Sequence, residues 1–187
     1  MKNKFLALTV ILLVSGCAWI DRKPLLTYNS FSTPQSQNKI ILKVVPFEDK
    51  RTIKDTVGYS RNGFGQRCAK VIPQNNVAEW VTNALKLELT NAGYTLSEEE
   101  NTPNKIEGVV FDVFCDTYFT YDGRASLKVS LKQGGKVLID KDYSSTKSGG
   151  VNWAATSESF AKTLDMTLQD VLKQVMFDIN KELLKNQ

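Results

Sequence analysis

An apolar stripe that can be traced from residue 157 to residue 184 constrains this chain more than any other feature. Phe160, Leu164, Leu168, Val171, Val175 and Ile179 recur at three- and four-residue steps, with polar side chains between them. That spacing predicts one long amphipathic helix, whose stripe has to be covered by another layer of structure or by a partner's groove. A shorter stripe runs through Val77, Trp80, Val81, Ala84, Leu85 and Leu89. Asn76 and Glu79 stand where a variant capping box would open this second helix, and Gly93 stands where a left-handed residue would close it. Together they predict a helix over 76–92.

The covering layer reads as strands. Residues 39–47 hold Ile40, Ile41, Leu42, Val44 and Val45, apolar on both faces, as in a strand placed centrally or covered on both sides. Pro46 should end its ladder or lie at an edge. Residues 104–121 read as a long strand, with Asp112 in the middle facing solvent or the sheet margin, because a carboxylate buried alone is costly. Ala125, Leu127, Val129 and Leu131 alternate with polar residues, and Gly134-Gly135 marks the turn of a hairpin over 124–143. A two-residue loop would set Val129 against Asp140, whereas a three-residue loop aligns Leu131 with Val137 and Val129 with Ile139. Opposed side chains share a face, so the longer loop is expected. Residues 144–155 read as a polar loop. The order strand, helix, strands, helix predicts an α+β fold, a mixed or antiparallel sheet with two helices packed on one face.

The N-terminus carries a different signal. Lys2 and Lys4 precede an apolar run over residues 5–14, too short for a spanning helix, which needs about 20 residues. Leu13-Val14-Ser15-Gly16-Cys17 then resembles the lipobox of bacterial lipoproteins. The resemblance implies that residues 1–16 are a removed signal peptide. It also implies a diacylglyceryl group on the Cys17 sulfur and an acyl chain such as palmitate on the new amino terminus. A plain signal peptide with an incidental cysteine is the alternative. Ala18 stands where, in such lipoproteins, Asp favours the inner membrane, so the resemblance points to the outer membrane with the domain facing the periplasm. Residues 17–38, rich in Ser, Thr, Asn, Gln and Pro, read as the lipidated end of a flexible tether, and residues 39–187 as a single domain with room for a core.

Three cysteines and no histidine narrow the chemistry. Without histidine the commonest general base and metal ligand are gone, and with Cys17 assigned to lipid a cysteine–histidine zinc site cannot be assembled. No phosphate loop or nucleophile elbow is present. Neither a metal nor a cofactor is expected, and the chain reads as a non-enzyme. The net charge of +4 includes Lys2 and Lys4 and shows no basic block suited to nucleic acid. Cys68 and Cys115, in an oxidising compartment, are expected to pair as a disulfide, the alternative being two separate buried thiols.

The most distinctive stretch is Val57-Gly58-Tyr59-Ser60-Arg61-Asn62-Gly63-Phe64-Gly65. Tyr59, Arg61, Asn62 and Phe64 make it the candidate partner or ligand loop. It could bind an anion through backbone N–H groups, present Tyr59 and Phe64 to a partner, or simply fold its aromatics over the core. This stretch, the strand Ile40 to Val45, the helix Val77 to Leu89 and Ala92-Gly93-Tyr94 resemble the YajG-type family of outer-membrane lipoproteins. That resemblance implies an envelope lipoprotein without catalytic residues to carry over. The expected function is a non-catalytic binding or scaffolding module, held to the membrane by its N-terminal lipid and meeting an envelope protein. A lipid- or small-ligand-binding module, or an accessory subunit of an envelope transport or secretion complex, is the alternative.

Overall fold

The computed structural model describes residues 20–152 and 154–185; Cys17 and the rest of the lipobox lie outside them. Eight strands, β1 (Ile41–Val44), β2 (Glu48–Asp49), β3 (Gly58–Arg61), β4 (Arg67–Val71), β5 (Thr95–Leu96), β6 (Asn104–Thr117), β7 (Thr120–Gln133) and β8 (Lys136–Val151), join two helices, α1 (Val77–Asn91) and α2 (Ser157–Leu184), in an α+β fold. β6, β7 and β8 form a long antiparallel meander. The other side of β6 is filled in relay by β1, β2 and β3, each short and each parallel to it. β5 extends the sheet beside β1 and β4 beside β3. The sheet is therefore mixed, with both helices on one face.

The core lies between that face and the helices. Along β7, Tyr121, Ala125, Leu127, Val129 and Leu131 are buried, while Asp122, Arg124, Lys128 and Lys132 alternate onto the open face. Ile106, Val110, Val113 and Cys115 continue the buried face on β6, and Phe160, Leu164, Leu168 and Leu172 of α2 close over it. One extra residue, Phe111, breaks the register between Val110 and Asp112, which re-aims the chain so that alternation resumes with Val113 inward. Asp112 faces outward and pairs with Arg124. The α1 boundary follows the expected cap: the Asn76 side chain accepts from Glu79 N–H, and Gly93 adopts a φ of +86°.

Four expectations are corrected. The hairpin turn is the two-residue Gly134-Gly135, both with positive φ (55° and 86°), as a tight hairpin requires. A bulge between Leu131 and Lys132 then shifts the register, so that Leu131 meets Ile139 and Leu127 meets Tyr143. The bulge achieves what the longer loop was invoked for, keeping apolar residues on one face. Secondly, residues 144–151 are strand, not loop, because β8 follows β7 to its start.

The third correction concerns Cys68 and Cys115, whose thiols are free. Cys68 lies on β4 and Cys115 on β6, with β3 hydrogen-bonded between them. Strands two apart are separated by about 10 Å, beyond the roughly 7 Å that a disulfide spans between Cα atoms. Burial pushes the Cys115 thiol well above its ordinary range, with Asp122 and Asp116 adding to the effect. Finally, residues 20–38 do not hang as a tether. They form a strap: Ile72 N–H donates to Arg22 C=O (2.8 Å), Asn75 brackets Leu26 with two bonds, and Leu26 is buried. Buried Glu88 accepts from Tyr28 Oη (2.7 Å) and Phe31 N–H (3.1 Å), and buried Asp165 accepts from the Asn29 backbone and side chain. Burial first, then the Glu88 hydrogen bond, keeps the Tyr28 hydroxyl protonated as a donor.

Candidate functional site at one end of the sheet

The relay that brings the distinctive loop to β6 depends on two residues. A Cβ on Gly58 would stand 2.0 Å from the Cys115 carbonyl oxygen, so only glycine lets β3 pair this closely. Arg51, almost wholly buried, gathers the connection before β3: it donates to both Asp49 oxygens (3.0 Å) and to the carbonyls of Lys54 (3.1 Å) and Thr56 (3.3 Å). Burial tends to raise the Asp49 carboxyl, but the hydrogen bonds and charge of Arg51 outweigh it and hold the group below the usual range.

The structure divides the expected loop residues. Tyr59 does not reach the tip. Its ring packs 5.8 Å from Phe114, Arg67 lies 4.6 Å above it, and Arg124 lies 4.2 Å above Phe114. This cation–aromatic row crosses four neighbouring strands on the open face. Arg61 is committed to Asp116 through two bonds (2.9 and 2.5 Å) and to the Gly65 carbonyl (2.8 Å). Hydrogen bonding to Asp116 raises its already high pKa further, so it stays cationic. Asn62 Oδ1 accepts from Phe64 N–H and Gln66 N–H, both at 3.0 Å, folding the turn back on itself. Those two donors are therefore spent on the turn itself.

Phe64 is left at the apex, 89% exposed. Beside it is the turn between β6 and β7, where Phe119 is 69% and Tyr118 40% exposed, their rings 4.0 Å apart. The two turns are tied together, because Tyr118 Oη donates to the Gly63 carbonyl (3.2 Å). The end of β8 joins them: Val151, 60% exposed, pairs with Thr120, and Asn152 N–H donates to the Phe119 carbonyl (2.8 Å). The site is thus an apolar end made from two turns and the end of β8. Sequence reading found Phe64 but not Tyr118, Phe119 or Val151. Tyr118 and Phe119 sit in a stretch that reads as continuous strand, with no glycine or asparagine to announce a turn.

This end offers exposed apolar contact area. Among the described residues no cluster of three or more Asp, Glu or Cys side chains could hold a metal, and no helix is long and apolar enough to cross a membrane. Two surface grooves, of about 330 Å³ beside Leu26, Tyr28 and Trp80 and about 270 Å³ beside Ile41, Asn104 and Gln133, lie elsewhere.

A family described as uncharacterized lipoprotein, Lipoprotein_16, matches residues 29–183. The chain belongs to that family. For this lipoprotein no curated protein gives a match. Its fold is shared with solved structures at low identity. A Xanthomonas campestris protein of the DUF330 family aligns with a TM-score of 0.62 at 12% identity, covering 90% of this chain and 99% of its own. A hypothetical protein from Chlamydia trachomatis aligns with a TM-score of 0.53 at 9% identity, covering 78% and 98% respectively. At these identities the likeness is one of fold. The lipoprotein's place in the cell envelope follows from its family.

Proposed function

We propose that this lipoprotein is acylated at Cys17, held at the outer membrane with its domain in the periplasm, and works as a non-catalytic binding module. The sequence before Cys17 supports the anchor, and Val57 to Gly65 with the element order supports a YajG-type role in the envelope. The observation that carries the binding reading is the apolar end formed by Phe64, Tyr118 and Phe119. Large side chains are held in the open there by hydrogen bonds that fix both turns. Contiguous exposed apolar surface of this kind marks interaction sites.

The test of the anchor is metabolic labelling with a palmitate analogue, followed by membrane fractionation. The wild-type protein takes up label and sediments with outer membranes, and Cys17→Ser abolishes both. A wild-type protein that stays unlabelled and soluble defeats the reading.

A further inference from the structure

We propose that the apolar end is a bilayer-contact face: Phe64, Tyr118, Phe119 and Val151 rest in the headgroup region of the membrane that holds Cys17. The proposal rests on acylation of Cys17 as read above, and it names the partner of that site.

The direction in which the chain enters the domain carries the argument. Arg22 bridges Val71 as a parallel neighbour of β4, with Arg22 N–H donating to the Lys70 carbonyl and Lys70 N–H to the Asp21 carboxylate, both at 2.8 Å. β4 starts at Arg67, next to the Phe64 turn, and runs away from it. A parallel segment runs the same way, so tracing back from Arg22 to Ile20 leads toward the apolar end. Only three residue steps separate Ile20 from Cys17. At roughly 3.3–3.6 Å per residue they span at most about 11 Å. The strap over residues 20–38 takes up the length that would otherwise have lifted the domain away. An acylated Cys17 therefore brings the bilayer surface to this end of the body.

The surface found there suits that neighbour. Its aromatics are large, and Tyr118 pairs an apolar ring with a polar tip, the chemistry enriched at membrane interfaces. Of its cations, Arg61 is paired with Asp116 and Lys147 with Asp170 at 3.0 Å, and Arg67 lies over the Tyr59 ring. The contact is led by the exposed apolar side chains. The opposite end of the sheet is the Gly134-Gly135 turn, flanked by Lys132, Gln133 and Lys136, and it suits water. Shallow insertion of apolar side chains reaches roughly 5–10 Å into such an interface, which short turns can do without spanning.

The experiment places benzoylphenylalanine singly at Phe64, Phe119 and Val137 in the full acylated chain, irradiates intact cells, and scores palmitate label and adducts in the same samples. Phe64 and Phe119 are so exposed that the replacements leave the fold intact. The expected result is phospholipid adducts from positions 64 and 119 and none from 137, which is exposed at the far end. Labelled protein that gives protein adducts without lipid at 64 and 119, or no lipid adducts there, overturns the bilayer face while leaving the anchor standing. Unlabelled protein overturns both.

Discussion

β6 has two flanks, and they are built differently. On one side β7 pairs with it antiparallel over nearly its whole length, and β8 repeats the arrangement. On the other side β1, β2 and β3 each take a few residues of the same strand. The meander flank is held by a continuous buried face under α2. The relay flank has few ladder bonds per strand and leans on single residues, Arg51 and Gly58, to bring β3 into place. Regular pairing spreads stability over many contacts, whereas a relay concentrates it in a few.

Four substitutions sharpen or break that contrast. Leu127→Ala, in the middle of the meander and fully buried against Tyr143, should cost about 4 kcal/mol through lost transfer energy and the cavity left behind. Urea unfolding would show it, and a loss under 1 kcal/mol would mean that the meander core can collapse around the gap. Arg51→Met should cost about 3 kcal/mol, because Asp49 and two carbonyls lose their buried partner. Amide exchange should then rise first in β3 and β4, and a uniform rise would argue against a local relay.

Asp178→Asn tests the α2 side of the meander, with about 1 kcal/mol expected at neutral pH. The Lys141 hydrogen bond lowers the Asp178 carboxyl, burial opposes it, and the Tyr143 hydroxyl lowers it further. Because the folded pKa is depressed, this contribution is present above the unfolded carboxylate value near pH 4 and is lost as pH falls through the folded one. The variant should accordingly show a flatter stability profile at acid pH. The smallest effect is expected from Phe64→Ser, within about 0.5 kcal/mol, since the side chain packs against little. A larger loss would show the apolar end to be structural.

The two helices and much of the meander were legible from residue order. The stripe of α2, the cap at Asn76 and the alternation from Ala125 to Leu131 are local patterns, and their periods of 3.6 and 2 name the element and its buried face. Part of the meander was not. β8 continues past Tyr143 through Ser144, Ser145, Thr146 and Lys147, which look like loop because polar side chains serve the open face and the α2 carboxylates, as in Ser145 with Asp170 (2.6 Å). Of the relay only β1, inside the strand expected over 39–47, was legible; β2 is two residues long and its pairing partner lies some sixty positions away. The site divided in the same way. Phe64 stood out among glycines, while Tyr118, Phe119 and Val151 join it only because two turns and the end of β8 meet at one end.

Local chemistry thus decided the two helices, the cap of α1 and the alternating face of β7, and it gave the chain a lipobox-like Cys17. Tertiary structure decided the rest: that Cys68 and Cys115 stand apart with β3 between them, that residues 20–38 lie strapped to the body, and that apolar side chains from two turns and the end of β8 share one end. The physical reason is distance along the chain. Periodicity and capping act within a few residues, whereas strand order and surface patches depend on which remote segments pay the entropy of meeting.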